Sequence, residues 1–271
     1  MPVTDADVER WLREDLGHHD VTNDVPGSTE GRLIAKEAGV AAGLDAAVAV
    51  FDYLGCDADA VVSSGDRVEP GDAALQATGD AQSVLRAERV AVNVAGHASG
   101  VATKTRRAVD AAREVSDAVE IAATRKTTPG MRGVEKRAVV AGGGDTHRLD
   151  LSHMVMVKDN HVAEMGLESA IRHFRERKSF ATKLEVEVES PADAPQAADA
   201  GADIVLLDNM TPAETKRAVD LLDGAALAEA SGSITVEDVP AYAATGVDVI
   251  SMGSLTHSAP SLDYSFSTSV A

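Results

Sequence analysis

The chain reads as an α/β protein, a small N-terminal α/β lobe followed by a barrel-like parallel sheet. Three observations predict this. Beyond about residue 105, six short apolar runs alternate with helical stretches, the pattern of a βα series. Polar or charged residues stand at or just after the C-terminal end of each run, where parallel sheets and barrels carry their sites. Before that point the pattern is mixed, with short strands broken by Gly65-Asp66 and Pro70-Gly71 turns. Six runs fall short of a complete barrel, which takes eight strands and about 250 residues. An open or incomplete barrel is therefore expected, with a doubly wound open sheet as the structural alternative.

Taken in order, Thr4 followed by Asp5, Asp7 and the Val8/Trp11/Leu12 spacing predicts a capped helix ending near Gly17. Residues 32–36 alternate like a strand, 45–54 read as a helix, and GDRVEPGDAALQATG reads as short strands. Two apolar-periodic helices are expected near 81–98 and 101–115. The β-like runs lie near 119–123, 153–157, 184–188, 204–207, 226–229 and 249–252, with helices near 132–141, 167–174, 192–200, 212–222 and 236–244. After Pro260, the alternation of Leu262, Tyr264 and Phe266 predicts a strand returning to the first lobe. The expected division is a lobe of residues 1–105 joined by 262–271, and a barrel of residues 106–261.

Composition bounds the function. Hydrophobic residues at 44% and charged residues at 25% are globular proportions. Cys56 is the only cysteine, which excludes an intrachain disulfide framework and a multi-cysteine metal site and predicts a cytoplasmic protein. No stretch approaches the roughly 18 apolar residues of a membrane span, and the N-terminus is acidic and amphipathic, so a soluble, uncleaved chain is expected. A net charge of −19 opposes binding to nucleic acid. Lysine supplies only 8 of the 25 cations while Asp and Ala abound, a balance that predicts a halophilic protein.

Against that background, residues 123–161 hold seven cations (Arg125, Lys126, Arg132, Lys136, Arg137, Arg148, Lys158) and four acids (Glu135, Asp145, Asp150, Asp159). A solvated basic face is the bland reading. The polar clusters that start at Thr124-Arg125-Lys126, Gly142-Gly143-Gly144, His147-Arg148 and Lys158-Asp159 instead read as groups gathered at a pocket mouth. Arg125, His147, Arg148 and Lys158 suit a compact polyanion, Arg as a planar fork and Lys as a point charge. Glu187 and Asp208, at adjacent strand ends without nearby cysteine, suit magnesium or ribose hydroxyls better than zinc. Ser231-Gly232-Ser233 and Gly253-Ser254 permit close approach of a phosphate to backbone N–H groups. His18-His19-Asp20 reads poorly as a metal cluster, because adjacent side chains diverge, and His97 reads as a packed helical residue. The triple glycine follows a helix and is no dinucleotide fingerprint.

These residues and the runs EDLGHHDVT, ERVAVN, HASGVAT, TRKTTPG, GGGDTHR, VKDNH, EVEVES, LLDNM, EASGSI and SMGSLTHS, spread from residue 14 to 258, resemble the quinolinate phosphoribosyltransferase family. The resemblance implies an N-terminal α/β sandwich lobe, an open α/β barrel of the TIM-like kind, and a homodimer, or a hexamer built as a trimer of dimers, with shared active sites. It implies a pentosyltransferase of NAD biosynthesis that uses Mg2+ to join phosphoribosyl pyrophosphate and quinolinate, releasing carbon dioxide and pyrophosphate and leaving nicotinate mononucleotide. Quinolinate would be held by Arg125, His147, Arg148 and Lys158, with Arg89 supplied across the dimer interface. Lys126 and Lys158 would bind phosphoribosyl pyrophosphate, Glu187 and Asp208 its ribose and magnesium, and Ser231, Gly232, Ser233, Met252, Gly253 and Ser254 its 5′-phosphate; Thr124 would also be a substrate-binding residue. Lys126, Lys158, Glu187 and Asp208 would carry catalysis. Thr146, Ser233 and Ser254 depart from the family pattern, keeping small or polar character. An aldolase-like barrel with a Schiff base on Lys126 or Lys158, and a non-catalytic anion binder, are the competing readings.

Overall fold

The structure, a computed structural model, describes residues 2–269. In chain order the elements are α1 (Asp5–Leu16), β1 (Ser28–Ala35), β2 (Gly39–Val40), α2 (Leu44–Tyr53), β3 (Asp57–Ala60), β4 (Arg67–Val68), β5 (Ala73–Asp80), α3 (Ala81–Arg113), β6 (Glu120–Ala122) and α4 (Arg132–Ala141). There follow β7 (Val155–Val157), α5 (Asp159–Met165), α6 (Leu167–Arg177), β8 (Leu184–Val188), α7 (Asp193–Ala200), β9 (Ile204–Asp208), α8 (Pro212–Leu222), β10 (Leu227–Ser231), α9 (Val239–Ala243), β11 (Val249–Ser251), α10 (Ser254–His257) and β12 (Tyr264–Ser269). They fall into two compact units. One comprises the described residues up to 106, residues 127–143 and those from 255 onward; the other comprises 107–126 and 144–254.

In the first unit, α1 opens on a capping box: Thr4 Oγ1 accepts from Asp7 N at 3.4 Å and Asp7 Oδ2 accepts from Thr4 N at 3.1 Å. An antiparallel sheet runs β12-β1-β5-β3. The C-terminal strand expected from its alternation is β12, paired with β1 so that Phe266 lies opposite Leu33; positions 270 and 271 lie outside the described residues. Gly31 is opposite Thr268, and a Cβ there would meet the Phe266 ring at 2.3 Å. Phe266 in turn stacks on Phe51 of α2 with centroids 5.5 Å apart, which joins helix to sheet.

The sequence predicts two helices where the structure has one, the 33-residue α3. The glycines near its middle are packing positions rather than a break. A Cβ on Gly100 would fall 2.0 Å from the Pro260 carbonyl oxygen, and one on Gly96 would fall 2.9 Å from the Leu262 oxygen. Leu262 N donates to Gly96 O at 2.9 Å, so the segment leading into β12 lies directly on the helix backbone. Each glycine costs about 1 kcal/mol of helix propensity relative to alanine, which this close contact offsets. Nearby, Ser99 Oγ accepts from Ala42 N at 2.9 Å and lies 3.1 Å from the Tyr264 hydroxyl, so the helix also fixes the chain before α2. His97 is packed as expected, its Nε2 2.9 Å from the fully buried Glu135, whose carboxylate also accepts from Thr128 N.

The second unit is built on a parallel sheet ordered β6-β11-β10-β9-β8-β7. From β7 to β11 each strand lies beside the next in sequence, and β11 turns back to pair with β6. That is the order of a barrel opened between β6 and β7. A doubly wound sheet would instead reverse direction at a switch point. One parallel bridge, Ala122 to Asp145, adds to the β6 edge. Helix α5 is not evident from the sequence, because its residues read as a polar cluster, and α9 is shorter than expected because Thr235 N donates to Asp238 Oδ2 at 3.0 Å and holds the preceding segment as a turn. Among the described residues no helix is long and apolar enough to cross a membrane.

Gly100→Ala is expected to lower stability by roughly 1–3 kcal/mol, the usual cost of overpacking. A melting temperature equal to the parent's by scanning calorimetry would contradict the close helix contact.

Candidate active site

Period-two alternation decides which side chains face inward from the parallel strands. On β7 and just beyond it these are Met156 and Lys158, on β8 Glu185 and Glu187, on β9 Leu206 and Asp208, on β10 Glu229 and Ser231. All except the fully enclosed Glu185 line a cavity of about 450 Å³ at the C-terminal ends of the strands, together with Thr124, Arg125, Lys126, His147 and Arg148. Asn209, Gly232, Ser233 and Ser251 complete the wall.

The cationic side is held by local backbone devices. Lys126 N donates to Thr124 Oγ1 at 3.1 Å, forming the turn that carries Arg125 and Lys126 after β6. Asp145 pairs with β6 through its N–H to Ile121 O at 2.8 Å and its O from Ala123 N at 3.0 Å. Its side chain then accepts from His147 N at 2.5 Å, and His147 adopts a left-handed backbone with φ 50°. Such a conformation costs a non-glycine residue of order 1 kcal/mol and concentrates at functional sites. Lys158 stands at the entry to α5, its N–H donating to His161 Nδ1 at 3.0 Å, which explains the Lys-Asp-Asn-His run.

Arg148 is 8% exposed, and one guanidinium nitrogen donates to Met156 Sδ at 3.0 Å, a weak acceptor. Burial, and then the like charge of Arg125, push Arg148 below the usual guanidinium range. A buried guanidinium in that position is suited to an incoming carboxylate. Lys158 Nζ donates to Glu187 Oε2 at 2.5 Å. Burial and the neighbouring Glu187 push the Asp208 carboxyl above its ordinary value, while Lys158 pulls it back. A carboxylate raised in this way is relieved by a hard cation or by hydroxyl donors.

The sequence points to the strand ends and not to the layer beneath them. Glu185 and Glu229 are fully buried, and His147 Nε2 lies 3.0 Å from Glu229 Oε2 and 3.7 Å from Glu185 Oε2. Burial and then the Glu229 charge push Glu185 up, opposed by His147 and Arg148. Both glutamates sit two residues before an expected site residue, Glu187 or Ser231, so the period-two rule is the signal that could have found them.

After β10 the chain turns tightly at Gly232, φ 106°, and Ser233, φ 53°. A Cβ on Gly232 would lie 2.4 Å from Asn209 Oδ1 and 2.6 Å from Asn209 N. Asn209 N donates to Ser231 O at 2.9 Å, and Asn209 itself is left-handed at φ 55°, so two strand-end turns interlock. Met252 is buried, and Met252, Gly253 and Ser254 are outside the residues lining the cavity, where β11 contributes Ser251 instead. Arg89 is on α3 in the other unit, 59% exposed and 3.8 Å from Glu88, and is not among the lining residues. Asp20 of the His18-His19-Asp20 run holds Arg86 at 2.8 Å and the backbone of Thr22 at 2.9 Å, a structural turn.

Comparison with known proteins gives the family. Residues 20–99 match the N-terminal domain, and residues 101–267 the C-terminal domain, of quinolinate phosphoribosyl transferase. The chain belongs to the quinolinate phosphoribosyltransferase family. It is 42% identical over 271 residues to the Homo sapiens protein named nicotinate-nucleotide pyrophosphorylase [carboxylating], covering 97% of this chain and 91% of that one. It is 40% identical over 261 residues to the Rattus norvegicus protein of the same name, covering 94% and 87%. The crystal structure of NadC from Streptococcus pyogenes superposes with a TM-score of 0.91 at 39% identity, covering 98% of each chain. The family's fold, an α/β lobe with an open α/β barrel, is the one observed.

Gly232→Ala is expected to cost about 1–3 kcal/mol, since the new methyl both strains a left-handed turn and strikes Asn209. A thermal melt matching the parent's would show that the two turns are not interlocked.

Proposed function

We propose that this chain transfers the phosphoribosyl group of phosphoribosyl pyrophosphate to quinolinate with loss of carbon dioxide, giving nicotinate mononucleotide and pyrophosphate for NAD biosynthesis in the cytoplasm. The observation that carries the reading is one cavity with two chemically different walls. Arg125, Lys126, His147, Arg148 and Lys158 form a basic wall, and Glu187, Asp208 and the Ser231-Gly232-Ser233 turn form an acidic and hydroxyl-bearing one.

In this reading Arg125, His147, Arg148 and Lys158 take the two carboxylates of quinolinate and aim its ring nitrogen at ribose C1, a gain from orientation. Partner-supplied Arg89 completes that grip in a homodimer, or in a hexamer of such dimers. As the C1–O bond breaks, its electron pair leaves with pyrophosphate, whose charge Lys126 and Lys158 offset with Thr124 beside them. Glu187 and Asp208 stabilise positive charge building on the ribose. The nitrogen lone pair forms the new bond to C1, and the ring becomes a pyridinium. That ring accepts the electrons of the bond to the 2-carboxylate, carbon dioxide departs, and a solvent proton replaces it. The 5′-phosphate lies against Ser231 to Ser233, with Met252, Gly253 and Ser254 following the adjacent strand.

The donors Glu187 and Asp208 fit a magnesium ion, being oxygen ligands on adjacent strands with Asp208 raised by burial and then by its neighbour Glu187. Magnesium held there would supply charge stabilisation for the departing pyrophosphate. A Schiff base on Lys158 is disfavoured because its Nζ is engaged with Glu187 Oε2 at 2.5 Å.

Pyrophosphate and carbon dioxide are expected to be released together when phosphoribosyl pyrophosphate and magnesium are supplied with quinolinate, and not with nicotinate. Activity at multimolar salt exceeding that at low salt would support the halophilic reading. Folded protein that releases neither product at any salt concentration would overturn the assignment. Arg125→Ala and Lys158→Ala are each expected to lower kcat/KM by roughly a hundredfold or more while melting near the parent temperature. Mixing Arg89→Ala with Lys158→Ala protein is expected to restore part of the lost activity, and no restoration would argue for self-contained sites.

A further inference from the structure

The geometry points to Glu229 as the positioning residue for His147, fixing the plane of its ring and the proton on Nε2 so that the imidazole serves as a cationic donor to the pyridine dicarboxylate. The inference rests on the reading of His147 as part of the quinolinate grip. The His147 backbone is held at φ 50°, with its N–H on Asp145 Oδ1 at 2.5 Å, so the main chain is committed to one uncommon conformation. The side chain is committed as well, with Nε2 3.0 Å from Glu229 Oε2 and the second carboxylate, Glu185, 3.7 Å away. Glu229 is 1% exposed and Glu185 is fully buried. Both carboxylates are thus held almost entirely away from bulk solvent.

A carboxylate offers only acceptors, so it requires Nε2 to be the donor and favours the doubly protonated ring that an anionic substrate needs. A glutamine in its place either accepts from or donates to Nε2, and no longer selects. Two buried acids beneath an anion site would otherwise be counterproductive, since their field opposes a dianion. This makes the sign of the effect informative. If Glu229 merely balances charge, its neutralisation tightens quinolinate binding; if it positions and charges His147, neutralisation loosens it.

The experiment compares Glu229→Gln, His147→Ala and the parent protein, reading kcat and the separate KM values for quinolinate and phosphoribosyl pyrophosphate, with thermal melts and a ¹⁵N imidazole spectrum. The His147 signal is assigned by its loss from His147→Ala. The expected result is a KM for quinolinate about tenfold higher in Glu229→Gln, with the KM for phosphoribosyl pyrophosphate within about twofold of the parent and an altered His147 signal. An unchanged or lower KM for quinolinate in a folded Glu229→Gln protein overturns the inference. If His147→Ala itself leaves that KM unchanged, the reading of His147 fails and takes the inference with it, whereas a raised KM in His147→Ala alone sinks only the role of Glu229. Should Glu229→Gln not fold, the parent spectrum decides: a protonated Nε2 supports the assignment and an unprotonated one overturns it.

Discussion

The base of the barrel cavity is governed by the compensation of two carboxylates that have almost no access to solvent. An uncompensated charge in an apolar interior is so unfavourable that it must be paired or neutralised. Glu185 and Glu229 therefore dictate what surrounds them: His147 within 3.0 Å of one and 3.7 Å of the other, and Arg148 close enough for its charge to act on both. His147 and Arg148 are also among the residues that line the cavity above. The assembly of a cationic wall inside a chain of net charge −19 is thus tied to buried acids of the same small region.

The interlocked turns follow a similar logic in the backbone. Parallel strands deliver their side chains at a fixed spacing, but the loops beyond them approach one another closely only where a turn gives up its side chain. Gly232 and the left-handed Asn209 and Ser233 achieve this by removing a side chain from one turn and folding the other against the space it leaves. Asp145 plays the comparable part on the cationic side, where it joins the edge of β6 and, through its carboxylate, sets the residue two positions later.

Much of this was legible in the sequence because it is periodic. The six apolar runs, the helices between them and the returning C-terminal strand are all carried by repetition at two or 3.6 residues, and each appears within a few positions of its expected place. What was not legible depends on which way a side chain points or what it touches. Gly96 and Gly100 look like a helix break until Pro260 and Leu262 are seen against them. Helix α5 hides inside a polar cluster because Lys158, which lines the cavity, stands at its N-cap. Glu185 and Glu229 look like ordinary charged strand residues, and only the strand register turns them inward beneath Glu187 and Ser231. Ser251 lines the cavity while Met252 beside it is buried, a difference of one residue that alternation makes decisive.

The excess of acidic residues gives the cavity a further constraint. A chain of −19 repels small anions at long range, and the proposed substrates are both anions. At about 0.15 M salt the Debye length is roughly 8 Å, so charges beyond the cavity rim still act on an approaching ligand; at 1 M it falls to about 3 Å. Inside the cavity the interacting groups are in contact or nearly so, as with Lys158 and Glu187 at 2.5 Å, and screening there is much weaker. Salt therefore removes the unfavourable long-range field while leaving most of the local cationic attraction. An acidic exterior and a basic pocket are compatible in one protein on this account because they act over different distances, and high ionic strength separates them.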